Sequence, residues 1–149
     1  MRAFWRVTAL ALPLLAGGAS AQTGATPHDW LYGSWTGGLF PANDTTSSAC
    51  YAQPTVIFTR DVVMRTGIID VGYRQRAIET VSGAAGGVQF RFLPAAGGSG
   101  VLASRLPPDI GFGCAGNPDT LNVERRGPNE IAFPGCTDFP LTLRRCGAP

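Results

Sequence analysis

Residues 88–94, Val-Gln-Phe-Arg-Phe-Leu-Pro, alternate apolar and polar side chains and then stop at a proline. This period of two constrains the chain more than any other feature. It marks a strand with Val88, Phe90 and Phe92 on a buried face and Gln89 and Arg91 on the other. Similar runs recur at 55–66, 120–126, 130–133 and 140–146. They are separated by turn-forming stretches such as Ser-Gly-Ala-Ala-Gly-Gly at 82–87 and Gly-Pro-Asn at 127–129. The 20 glycines and 12 prolines leave little room for a long helix. The expected fold is all-β, with seven or eight short antiparallel strands in a small barrel or a sandwich.

Within 55–81 the pattern places Val56, Phe58, Val62 and Met64 on one face, with Thr59, Asp61 and Arg65 on the other. Arg60-Asp61 and Gly67 are expected turns. Ile69, Val71 and Tyr73 are expected to open a further strand. Thr120–Arg126 and Glu130–Phe133 read as a hairpin. In the last strand Leu141 and Leu143 are expected to point inward. Ser34–Phe40 is the expected first strand, bulged near Gly37-Gly38, and residues 41–49 read as a polar loop. Before it, Thr26-Pro27-His28-Asp29 has the order of a helix start, and Gly33 ends it after about one turn. Residues 94–119 are too rich in Gly and Pro for regular structure and are expected to form a long irregular region.

The N-terminus has the form of an export signal. Arg2 and Arg6 precede an apolar run from Val7 to Leu15, and Ala19-Ser20-Ala21 offers small residues for cleavage. The run is too short to span a bilayer. The expected organisation is a signal peptide at 1–21 and one β domain at 22–149, located in the periplasm or secreted. Without its two leader arginines, the chain balances its remaining arginines against ten acidic residues, and it has no lysine. A neutral domain without a basic cluster is a poor ligand for nucleic acid or for an anionic membrane. The expected state is a monomer with no membrane span.

The four cysteines are Cys50, Cys114, Cys136 and Cys146. An even number in an exported chain reads as two disulfides. No C-x-x-C pair is present, so a zinc site is not expected. Three pairings are open. Cys114–Cys136 is favoured because it would clasp the two ends of one predicted hairpin, and Cys50–Cys146 would then tie an early strand to the last.

Gly33-Ser34-Trp35 on a first strand, preceded by a short helical turn, resembles the G-x-W signature of the calycin superfamily, which includes lipocalins and small bacterial protease-inhibitor barrels. The resemblance implies a barrel closed at one end by the Trp, with an Arg from the last strand packed over it. Gly33, Trp35, Arg144 and Arg145 are the corresponding barrel-closing candidates.

Catalytic chemistry is sparse. His28 is the sole histidine and is expected in an exposed loop or first turn, so a nucleophile–histidine arrangement lacks its base. Asp61 and Asp70 read as turn residues or partners of Arg60, Arg65 or Arg74. Glu79 and Glu124 fall on outward faces. Arg74-Gln75-Arg76 and Arg125-Arg126 read as solvated. No catalytic residue, cofactor or metal is expected. The favoured function is a non-catalytic binding protein for a protein partner, as an inhibitor or envelope accessory factor. The alternative is a carrier whose interior holds a small apolar ligand against Trp35, Phe58, Met64, Tyr73, Phe90 and Phe92. A hydrolase of unknown class ranks last.

Overall fold

The computed structural model describes residues 25–68, 70, 72–94 and 111–147. The expected signal peptide, most of the irregular 94–119 region, Ile69 and Val71 lie outside the described residues. Eight antiparallel strands form a closed barrel in which each strand pairs with the next in sequence. They are β1 (Gly33–Gly37), β2 (Thr55–Phe58), β3 (Val62–Thr66), β4 (Arg74–Ala84), β5 (Gly87–Phe92), β6 (Thr120–Gly127), β7 (Glu130–Ala132) and β8 (Leu143–Arg145). β8 returns to β1, with Trp35 opposite Arg145 and Gly37 opposite Leu143. The all-β expectation holds, and closure decides for a barrel over a sandwich.

The two ends of the barrel differ because the odd and even connections differ in length. At one end, tight turns join β2 to β3, β4 to β5 and β6 to β7. A 3₁₀ turn at Asp29–Leu31 precedes β1 there. At the other end lie the four long connections, 38–54, 67–73, 93–119 and 133–142. We call these the floor and the mouth. A four-residue helix, Ser47–Cys50, interrupts the loop expected at 41–49.

Both disulfides pair as the favoured reading has them. Cys114–Cys136 flanks the β6–β7 hairpin, where the two residues also form an isolated antiparallel bridge. Cys50–Cys146 joins the short helix to the residue after β8.

The core is aromatic. Phe58, Phe90, Phe92, Phe112, Phe133 and Phe139 are buried and touch in sequence across the interior. Ring centroids lie 5.5 Å apart for Phe58–Phe90, 6.1 Å for Phe90–Phe92, 6.2 Å for Phe92–Phe112 and 5.8 Å for Phe133–Phe139. Such edge and offset contacts add to the burial of the rings themselves. An eight-stranded barrel is just wide enough for its own side chains to fill it, and these rings do so from His28 at the floor to Phe139 at the mouth.

Several strand readings change. In β3 the buried residues are Val63 and Arg65, while Val62 and Met64 face outward. The turn takes two residues, Arg60-Asp61 as expected, with Thr59 N–H bonded to Val62 O and Phe58 facing Val63. An even number of residues between facing partners passes the buried face from even positions, Val56 and Phe58, to odd ones, Val63 and Arg65. β4 begins at Arg74, after Tyr73 rather than before it, and runs on to Ala84, well into the expected 82–87 turn. β8 is shorter than expected, and Leu141 precedes it at 45% exposure. Its N–H is taken by Gly38 O at 2.6 Å, which holds it on the outer wall.

Candidate functional site

The floor is built from the 3₁₀ turn and the two strands that close the barrel. Asp29 accepts from the Thr26 N–H at 2.9 Å and also from the Thr26 hydroxyl. This is the acidic half of the capping arrangement read from the sequence; the Thr26 side chain does not cap in return, and His28 is the residue at the cap. The Thr26 hydroxyl above all holds the Asp29 carboxyl below the usual carboxylate range, against an opposing desolvation and with help from the Tyr32 hydroxyl, the Thr26 N–H and the nearby His28.

Trp35 is fully buried and donates its indole N–H to Leu31 O at 2.8 Å. Arg145 lies over its ring, with 4.3 Å from the guanidinium carbon to the ring centroid. The same guanidinium donates to Tyr32 O at 2.6 Å and to Trp30 O. Burial first, and the charge of Arg125 second, lower the Arg145 pKa from its ordinary value. Gly33 has φ +114°, and a Cβ there would sit 3.3 Å from Arg145 Nη1. Glycine at this position therefore serves both the backbone turn and the close approach of the arginine. Of the two last-strand arginines only Arg145 joins this group; Arg144 is exposed on the outer wall.

His28 is 2% exposed, contrary to the exposed position expected. Its Nε2 lies 3.1 Å from Thr59 O, and its ring meets Tyr32 and Phe90 edge-on at 5.1 and 5.2 Å. The histidine plugs the floor beneath the aromatic core. Its sequence signal was weak because nothing around Pro27 shows which side of the turn packs inward.

The mouth carries a feature that the sequence reading missed. Arg65 and Arg76 both point into the barrel and are 8% and 5% exposed. Arg65 donates to Asp138 Oδ2 at 2.6 Å, and Arg76 pairs with Asp119. Each guanidinium also lies over a core ring, 5.4 Å from the Phe112 centroid and 5.3 Å from that of Phe92. At the rim, Arg74 pairs with Asp70 at 2.9 Å. The three aspartates come from three different mouth connections, so three ion pairs from β3 and β4 hold Asp70, Asp119 and Asp138 to the barrel wall. Cys114–Cys136 links two of them covalently. Arg76, read as solvated, is thus a structural latch, and Asp70 takes the ion-pair role expected of it.

The six residues read as lining a ligand space separate into two groups. Trp35, Phe58, Phe90 and Phe92 converge in the core and pack on one another. Met64 lies on the outward face of β3, and Tyr73 is 46% exposed before β4. The change of parity across the Arg60-Asp61 turn moves Met64 out, and the late start of β4 moves Tyr73 out.

An open groove of about 670 Å³ runs along the outer wall at β7 and β8. Pro41, Ala42, Pro140 and Leu141 form its apolar side, and Arg126, Arg144 and Glu130 its polar side. Among the described residues, no three His, Cys, Asp or Glu side chains group as metal ligands would. No described helix is long and apolar enough to cross a membrane. No family model, curated protein or solved structure matches the chain.

Proposed function

We propose that this chain is an exported, non-catalytic barrel that acts by binding a protein partner. The observation that carries the reading is the occupied interior. The positions that a carrier would keep free for a ligand hold Phe58, Phe90, Phe92, Phe112, Phe133 and Phe139 in mutual contact. A carrier normally buries most of its ligand in a preformed cavity. Ion pairs and a disulfide also hold residues 111–119 and 133–138 of the mouth in place, which favours recognition by the outer surface. A surface fixed in this way loses little conformational freedom on binding.

The lone histidine supports a non-catalytic role. His28 is engaged with Thr59 O and two aromatic rings inside the floor, a structural position rather than one facing a substrate. Trp35 beneath Arg145, with Gly33 making room, supports a calycin-like ancestry for the barrel. Two disulfides suit an oxidising compartment outside the cytoplasm. The groove beside Arg144 and Leu141 is the favoured contact surface, since it joins apolar walls to a charged rim.

Native mass spectrometry of protein recovered from the exported compartment tests the reading. The expected mass is that of the chain with two disulfides and no small-molecule adduct. A stoichiometric lipid or pigment would establish the carrier instead. Photo-crosslinking from position 142 in the same compartment is expected to give one discrete protein adduct, and its absence would overturn the partner-binding reading.

A further inference from the structure

β4 is eleven residues long and its neighbour β3 only five. Their ladder ends at Val62 opposite Ala77, followed by one more bond from Ile78 N–H to Asp61 O at 2.8 Å. From Thr80 to Ala84, β4 pairs with β5 alone, and from Glu79 to Ala84 no backbone hydrogen bond reaches its other edge among the described residues. Five of these six residues are exposed, and Val81 is half-buried. The barrel wall therefore has a bare strand edge between the β2–β3 turn and the tip of the β4–β5 hairpin.

Bare edges are usually blunted by proline, lysine, inward-pointing charge or a bulge. This one contains no proline or lysine. Its one charge, Glu79, is held by Arg91 at 2.8 Å. The single bulge, between Ile78 and Thr80, lies at the junction with β3, and residues 80–84 keep regular register with β5. The segment is thus prepared to accept another strand through main-chain hydrogen bonds.

We infer that the occupant is a second copy of this chain, paired antiparallel through the same edge about a two-fold axis at Ser82. The register follows from the residues. A two-fold normal to the sheet keeps inner faces inner, so each residue opposes one of the same parity. Centred on Ser82, the pairing opposes Thr80 with Ala84 of the second copy and Val81 with Gly83. All five positions are regular, and the partner strand ends before the Asp61–Ile78 junction. Centring on Val81 would instead bring the irregular Glu79 opposite Gly83.

Side-chain volume supports the Ser82 register. Val81 and Gly83 face inward, opposite the buried Phe90 and Val88 of β5. A Cβ built on Gly83 meets nothing within 4 Å. The Val81 of the second copy would enter this open space and extend the core across the axis. The contact replaces the monomer expected from the sequence with a weak dimer, and it stands independently of the partner-binding reading above.

Sedimentation velocity of the exported, oxidised chain from roughly 1 µM to 1 mM tests this, a range suited to a small interface. A concentration-dependent monomer–dimer equilibrium is expected. Ser82→Lys and Ser82→Glu each place like charges opposite each other at the axis and are expected to weaken association at least tenfold, in line with the cost of such juxtapositions. An equimolar mixture of the two variants is expected to regain the dimer. Both substitutions are on the exposed face, so circular dichroism and melting should match the parent. A wild type that stays monomeric throughout, a Ser82→Lys chain that dimerises like the parent, or a mixture that fails to recover would each overturn the inference.

Discussion

Arg145 bridges the ends of the barrel wall: its guanidinium lies over the Trp35 ring at 4.3 Å and donates to Tyr32 O at 2.6 Å. One cation therefore binds the last strand, the first strand and the turn before it. A desolvated cation–π contact contributes roughly 1–2 kcal/mol, and a charged hydrogen bond to a carbonyl about 1.5–3 kcal/mol. Arg145→Ala is expected to cost about 3 kcal/mol in urea unfolding. Arg145→Lys should recover only part of this, because an ammonium cannot span both carbonyls while lying flat on the ring.

Two glycines in one hairpin should respond in opposite ways. A Cβ on Gly87 would overlap the Val123 carbonyl, so β5 and β6 could not keep their spacing. Gly87→Ala is expected to destabilise by about 2 kcal/mol or more. Gly83 faces open space, and Gly83→Ala should be neutral or stabilising by up to about 0.5–1 kcal/mol through the unfolded chain. Thermal melting of the two variants side by side checks the contrast.

The disulfides should differ in effect according to the loops they close. Cys114–Cys136 spans 22 residues of sequence and Cys50–Cys146 spans 96. On chain entropy alone, replacing each pair by serine should cost about 3 kcal/mol and about 5 kcal/mol respectively. Chemical unfolding of the two double-serine variants gives the order. Equal losses would mean that local packing outweighs loop length.

The mouth latches are testable one at a time. Asp119→Asn leaves Arg76 buried without its counter-charge, and breaking a buried pair from one side costs about 3 kcal/mol. Because Asp119 is itself partly exposed, a smaller loss, about 2 kcal/mol, is expected. Adding Arg76→Met should restore much of it, since an apolar side chain at that site packs on Phe92 without needing a partner. Hydrogen exchange at 111–119 should rise in the single variant and fall back in the double.

Acid should loosen the floor turn through Asp29. Its folded pKa lies below the unfolded value of 3.8, chiefly because of the Thr26 hydroxyl. A group lowered on folding binds fewer protons in the native state, so its stabilisation is present above about pH 4 and is lost as pH falls through the folded pKa. The stability difference between wild type and Asp29→Asn should therefore be constant near neutrality and shrink on acidification below pH 4. A difference independent of pH across that range would remove Asp29 from the floor's electrostatics.

The strands were legible where alternation was uninterrupted. Val88, Phe90 and Phe92 face inward as their pattern says, and the 120–132 hairpin falls where Gly-Pro-Asn places it. The disulfide pairing was legible for the same reason, since Cys114 and Cys136 bracket that hairpin. The inward arginines were not. Arg65 and Arg76 occupy core parity, but an arginine reads as solvent-facing unless its counter-charge is known, and Asp138 and Asp119 lie 73 and 43 residues away in sequence. Phe112 and Phe139 escaped notice because they reach the core from loops, where no period marks a buried face. The candidate groove was also invisible, since Ala42, Glu130 and Leu141 meet only after closure.

The pairing of β8 with β1 also dictates when this molecule is most vulnerable. Ribosomes deliver the chain from its N-terminus, so the wall that completes the cylinder is delivered last. Until residues 143–145 arrive, β1 and β7 both expose unpaired amides beside a half-built aromatic interior. A nascent intermediate of that kind invites aggregation, and shielding it until the final strand docks is a task the finished fold no longer needs.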